Sequence, residues 1–253
     1  SYSSYGRTTS NSKSIICMTN CVAVVAINGK TILNYTKPLL EQYCKRTNSD
    51  LVIIDKPLYN IKSKHKKKYN YLKFEKNQIY NLFENYDKVL RLDLDIVINP
   101  DAPNYFELDD DYIYVTEEPG RLSEISQIKK DLGNIDSWND FYFNGGVILA
   151  SKKHKEVFNI NDIDFDLDLG SFKEQNILNW KVNKLEVKIK DLGPSFNFFA
   201  GAYIDGVRYN DFDNNELRRN AYFVHHTGEG NHRKIYSMKK DIDFFYNKIK
   251  TII

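Results

Sequence analysis

Apolar residues in this chain gather in short, dense runs separated by polar turns. Val22-Ala23-Val24-Val25-Ala26-Ile27 is unbroken and stops at Asn28-Gly29. That is the pattern of a strand covered on both faces, as in a parallel sheet. Thr36-Lys37-Pro38 then opens a predicted helix, with Thr36 as cap and Pro38 in the first turn. Leu39, Leu40, Tyr43 and Cys44 supply its apolar stripe. Leu51-Val52-Ile53-Ile54-Asp55 is a second strand, so the chain opens β-α-β, which implies a right-handed crossover and a parallel sheet.

The alternation continues. A basic stretch over 60–70 carries Lys62, Lys64, His65, Lys66, Lys67 and Lys68 without interleaved apolar anchors, and reads as a solvated charge run. A helix is predicted over 71–86, with Leu72, Ile79, Leu82, Phe83 and Tyr86 inward. Strands follow at 88–92, 96–98 and 112–115, a helix at 122–132, and a strand from Phe141 to Ala150 holding Asn144-Gly145-Gly146 in its middle. Next come a helix over 171–180, a strand over 185–189 and an apolar run ending Phe223-Val224-His225-His226. A Gly-rich loop and a C-terminal helix from about 236 close the chain. The Asp-rich stretch 161–168 reads as an exposed connection. Strands alternating with helices predict an α/β domain with a mixed, mostly parallel sheet flanked by helices.

Composition narrows the class. Of 253 residues, 42% are hydrophobic, enough for one sizeable core, and net charge is only +2, so no global field favours nucleic acid. No apolar run approaches the roughly 18–20 residues needed to span a bilayer. Residues 1–17 are rich in Ser, Thr and Asn and read as an N-terminal extension, with a single domain over 18–253. Three cysteines, Cys17, Cys21 and Cys44, have no metal-ligand spacing and point to a reducing, cytoplasmic setting.

Candidate chemistry starts at Asp93-Leu94-Asp95, one of seven Asp-x-Asp triplets. It alone follows a buried strand, and two hard oxygen ligands at that spacing suit Mn²⁺ or Mg²⁺. In open sheets, ligands bind outside the carboxyl ends of strands. Ala26-Ile27-Asn28, Asp93/Asp95 and His225-His226 all stand at predicted strand ends and are expected to meet. The segment from His225 to Lys234 adds imidazoles, glycines that let a ligand approach, and two cations for phosphate. Asn144 offers an amide to a sugar hydroxyl beside two glycines. Glu174-Gln175 opens a helix and is unremarkable in isolation.

Together these segments resemble a GT-A fold glycosyltransferase, most like family 8 (glycogenin and galactosyltransferase-like). Tyr86–Asp95 looks like that family's metal-binding strand and DxD motif. Phe143-Asn144-Gly145-Gly146-Val147-Ile148-Leu149 is similar to its FNAGV segment, Glu174–Asn179 to its DQDILN segment, and His225-His226-Thr227-Gly228 to its H-x-x-G loop. The family usually continues H-x-x-G-x-x-K-P-W. This chain has Asn231 at that lysine, displaces the cation to Arg233 or Lys234, and carries Glu174 for Asp.

The resemblance implies a Rossmann-like sheet and a metal-dependent transfer of sugar from a nucleotide-diphosphate donor, a UDP-sugar, to a hydroxyl acceptor (glycan, protein or small molecule), with retention. Asp93, Asp95 and His225 would hold Mn²⁺ or Mg²⁺. Ala26, Ile27, Asn28, Asp93, Leu94, Gly228, Arg233 and Lys234 would contact the nucleotide. Asn144, Gly145, Gly146 and Gln175 would face the donor sugar, with Gln175, Glu174 and Asn144 at the reacting centre. Inversion would instead need a general base from Asp191, Asp140 or Glu174. A nucleotidyltransferase or pyrophosphorylase would carry a Gly-rich basic loop after the first strand, where only Asn28-Gly29-Lys30 stands. A non-catalytic carbohydrate-binding module would explain the aromatics but not the convergence on Asp93/Asp95.

Overall fold

The computed structural model describes residues 19–64, 71–167, 170, 172–201, 203–204, 207–208, 216–228 and 231–247. The extension 1–17, most of the basic stretch (65–70) and Glu229-Gly230 lie outside these residues. Among the described residues no helix is long and apolar enough to cross a membrane.

A six-stranded sheet runs through the centre. Its strands are β1 (Asn20–Val25), β2 (Asp50–Ile54), β3 (Lys88–Leu92), β5 (Ile113–Val115), β6 (Val147–Ser151) and β7 (Ile189–Asp191), in the order β2-β1-β3-β6-β5-β7. β1 pairs in parallel with β2 and β3, and β5 with β7, while β6 runs antiparallel to β3 and β5. A three-stranded sheet, β4 (Ile96–Ile98), β11 (Phe223–His226) and β8 (Phe198–Ala200), sits beside it. A two-residue pair, β9 (Tyr203–Ile204) with β10 (Val207–Arg208), completes the strands.

Period-two alternation sorts each central strand between two cores. Val22, Val24, Leu90, Leu92 and Val147 pack in one cluster with residues of helix α1 (Lys30–Thr47), of the second sheet and of helix α6 (Asn231–Asn247). Cys21, Ala23, Val89, Ile148 and Ala150 pack on the other side with α2 (Ile79–Leu82) and α4 (Lys173–Lys184). A third cluster joins Phe74, Trp138 and Trp180 to α3 (Leu122–Leu132). Arg91 shares the face of Val89 by this alternation, and is only 1% exposed. Cys21 and Cys44 are buried free thiols.

Several expected boundaries move. α1 begins at Lys30, after Gly29, rather than at Thr36, and Pro38 lies inside it. Pro38 and Asn34 are both exposed, so the Asn34 carbonyl that proline leaves unbonded can take water instead. Thr36 is buried and its hydroxyl turns back to the Ile32 carbonyl at 3.4 Å. The helix predicted over 71–86 is a 3₁₀ segment, Tyr71–Gln78, running into the short α2, and Leu72 is exposed. Asn144-Gly145-Gly146 is a turn just before β6, not the middle of a strand. β7 starts at Ile189, the last residue of the predicted strand, and α6 starts at Asn231 rather than near 236. Over 161–167 the acids Asp162, Asp164 and Asp166 face water, while Ile163, Phe165 and Leu167 pack on the third core.

Candidate active site

The Asp93-Leu94-Asp95 turn joins the two sheets. The Asp93 amide donates to the Gly146 carbonyl (2.7 Å), one rung beyond the β3–β6 ladder. The Asp95 carbonyl accepts from the His226 amide (3.0 Å), one rung beyond β4–β11. Between them, Leu94 packs against Gly29, where any Cβ would overlap it. The two carboxylates therefore take their positions from different sheets and face one imidazole. His225 Nε2 is 3.4 Å from Asp93 Oδ2 and 3.5 Å from Asp95 Oδ1. One ligand atom from each of the three residues fits within a 4.8 Å set, an arrangement able to hold a metal ion.

Two lysines complete the charge balance. Lys76 Nζ lies 2.5 Å from Asp93 Oδ1, and Lys234 Nζ is paired with Asp95 Oδ2. Burial works to raise both carboxyls, but the cations win: Lys76 and His225 hold Asp93 well below the ordinary range, and His225 with Lys234 brings Asp95 to about 2. Burial works to lower His225, yet the two carboxylates lift it to about 9. The set is thus two ionised oxygens' worth of negative charge held by three removable cations.

Gly146 makes this geometry available. A Cβ there would overlap the His225 ring and come within 2.9 Å of Asn144 Oδ1. His226, one residue on, has a different fate. It is 0% exposed and its Nε2 sits 2.8 Å from Asp241 Oδ2, with Arg218 donating two bonds to the same carboxylate (2.9 and 2.8 Å).

A cleft of about 760 Å³ opens over the carboxylates, bounded by Asn144, Glu174, Gln175, Thr227, Gly228 and the cations Lys73, Lys76, Arg121 and Lys234. Its floor is a hydrogen-bonded net. Gln175 Oε1 accepts from the Gly145 amide (2.8 Å), and Asn144 Oδ1 from the Gly146 amide (2.8 Å). Glu118 accepts from Asn144 Nδ2 (2.7 Å) and Gln175 Nε2 (2.9 Å), and its other oxygen takes Arg121 Nε (2.9 Å). Arg121 in turn stacks over Phe172, 4.3 Å from the ring centre. Underneath, buried Arg91 holds Glu174 Oε1 at 2.7 Å and also donates to the Gly145 carbonyl.

Of the residues expected from sequence, Asp93, Asp95, Asn144, Glu174, Gln175, His225, Gly228 and Lys234 line this cleft. Gly145 and Gly146 sit behind it, against Arg91 and His225. Ala26, Ile27, Asn28 and Leu94 are not among its lining; Asn28 adopts the left-handed φ of 58° in the turn that Leu94 packs on. Arg233 is exposed, and Lys234 is the cation that reaches the carboxylates. Lys76, Glu118 and Arg121 escaped the sequence reading. Glu118 follows a strand end and precedes Pro119-Gly120, so the strand-end rule applied to β5 points to it.

The sequence matches the family model described as glycosyl transferase family 8 over residues 7–231. The chain belongs to glycosyl transferase family 8. Its fold agrees. A glycosyltransferase involved in the glycosylation of the major capsid of PBCV-1 superimposes with TM-score 0.55 at 16% identity, covering 88% of this chain and 99% of that one. The galactosyltransferase LgtC, in complex with donor and acceptor sugar analogs, gives 0.56 at 18%, covering 87% and 95%. WbbM, a bifunctional glycosyltransferase, gives 0.54 at 14%, with 91% of this chain on 52% of that chain. A comparison with curated protein sequences finds no match. The mixed sheet with flanking helices is therefore the GT-A fold of a family 8 glycosyltransferase.

Proposed function

We propose that the protein transfers a sugar from a UDP-sugar to a hydroxyl acceptor with retention of configuration, using Mn²⁺ or Mg²⁺ held by Asp93, Asp95 and His225. The observation that carries this reading is the meeting of those three ligand atoms beneath a cleft rimmed by lysines. The donor set fits a divalent cation. It offers two hard oxygens and an imidazole whose Nε2 faces both carboxylates. Such an ion, when bound, acts as a Lewis acid on the diphosphate leaving group.

The chain's own residues supply the rest. Lys76 and Lys234, released from the carboxylates, are placed to neutralise phosphate oxygens as charge builds on them. Asn144 and Gln175, fixed through Glu118, present amides to the donor sugar. In the transfer, the bond from C1 to the phosphate oxygen breaks and a bond from C1 to the acceptor oxygen forms. The hydroxyl proton passes to the departing phosphate oxygen.

Among the described residues none of the carboxylates that inversion would need stands free in the cleft, which favours retention. Glu174 is held by Arg91. Asp140 is 61% exposed beside Lys129 at 3.6 Å. Neither Asp140 nor Asp191 lines the cleft. The test is titration of UDP with Mn²⁺ by calorimetry, followed by transfer or hydrolysis of a nucleotide-sugar panel. Wild type is expected to bind UDP only with the ion, and Asp95→Ala to lose that binding. Full metal-dependent activity in Asp95→Ala sinks the reading.

A further inference from the structure

A second cavity of about 280 Å³ adjoins the cleft and shares Pro119 and Phe199 with it. That is near the small end of ligand pockets, room for one ring sugar and too little for a nucleotide. Its walls differ sharply from those of the cleft. Pro194, Phe198 and Leu217 make them apolar, and the ionisable groups among the described lining are carboxylates alone, Glu117 and Asp191. The four cations of the cleft have no counterpart here.

The cavity is wired to the candidate reacting centre. Asn197, 0% exposed at its floor, donates from Nδ2 to Asn144 Oδ1 (3.1 Å), and Asn144 faces the cleft. Asn197 Oδ1 has no hydrogen-bond partner among the described residues. A buried amide oxygen without a partner is costly unless something meets it. Asp191 is fixed at the rim by the amides of Gly193 (2.8 Å) and Glu117 (3.3 Å).

We propose that this cavity seats the acceptor, an uncharged pyranoside whose apolar ring face lies on the Phe199–Pro194 wall and whose non-reacting hydroxyls meet Asp191, Glu117 and Asn197. This rests on the glycosyltransferase reading for the ligand's role, though not for its binding. Charge sorts the two substrates: an anionic diphosphate is drawn to the lysine-rimmed cleft, and an anionic acceptor is repelled by the carboxylates of Asp191 and Glu117.

The test uses saturation-transfer NMR on the full chain. The probes are methyl glucopyranosides and galactopyranosides, with methyl β-D-glucuronide as the anionic counterpart. At least one neutral glycoside should show transfer to its ring C–H protons, with the glucuronide about tenfold weaker or silent. Leu217→Trp fills the mouth from a position 54% exposed to water, and should remove the signal while leaving the melting temperature and UDP affinity unchanged. Asp191→Asn should narrow the gap between neutral and anionic probes. The proposal is overturned by silence of every neutral probe in wild type, by an equal glucuronide response, or by a signal that survives Leu217→Trp or is displaced by UDP. UDP is titrated separately. If UDP fails to bind while a Leu217-sensitive glycoside signal remains, the glycosyltransferase reading falls and the sugar site stands.

Discussion

His225 and His226 are neighbours on one strand, and each faces aspartate and a basic side chain, yet they sit in opposite situations. His226, Asp241 and Arg218 form a sealed knot in which one carboxylate serves one guanidinium and one imidazole, all within 1% exposure. His225 faces two carboxylates at 3.4 and 3.5 Å, beyond good hydrogen-bond length, beneath an open cleft. The same chemistry is a fastener where charge is matched and water is shut out. It is a binding site where two carboxylates and their cations are left facing an open cavity. Alternation along β11 turns the two rings to opposite sides.

That contrast can be broken from either side. The largest effect is expected at the open site. Asp95→Ala should cost roughly 10²–10³-fold in transfer rate while the urea midpoint stays near wild type. Asp241→Ala should do the reverse, costing about 3–5 kcal/mol of stability because it takes the carboxylate from a buried guanidinium; equilibrium urea unfolding reads this directly. A variant pair with both effects exchanged would show that the assignments are inverted. Gly146→Ala comes next. The added methyl displaces the His225 ring, so metal affinity should fall about 10–100-fold, with a stability cost of about 1–3 kcal/mol from overpacking. Mn²⁺ calorimetry and thermal melting separate the two.

The smallest effect is in pH dependence. His225 in the metal-free chain is raised to about 9, above its unfolded value, so its contribution to stability is fully present below about 6.5 and fades as pH climbs toward 9. Burial, opposed by Asp241 and aided by Arg218, lowers His226, so its contribution is present above the unfolded value and fades as pH falls. His225→Asn should flatten the alkaline side of the stability profile and His226→Asn the acid side. Identical changes in both variants would erase the distinction.

Much of this was legible in sequence where one physical signal acted alone. β1 is almost wholly apolar, β3 is apolar but for Lys88 and Arg91, and α3 shows clean helical periodicity, so their positions came through. The start of α1 did not, because Pro38 mimics a first-turn proline and only tertiary exposure tells that its lost hydrogen bond is cheap. Asn144-Gly145-Gly146 looked like a mid-strand weak point. Its real constraint, the His225 ring behind Gly146, comes from a residue about eighty positions away. The carboxylates and the histidine were found through a motif order that spacing alone does not give. Lys76 and Glu118 were missed since a single charged residue carries no periodic signal, and only folding shows that one meets Asp93 and the other meets Asn144 and Gln175.

The turn at Asp93-Leu94-Asp95 has a mechanical consequence. It is a seam: Asp93 extends the last rung of the central sheet, whereas Asp95 and His225 belong to the smaller one. A cation gripped by all three would rivet the sheets together as well as serve the reaction. Ion loading should then stiffen the molecule far from any sugar, slowing amide exchange along β4 and β11 and raising stability with the logarithm of free ion above its dissociation constant.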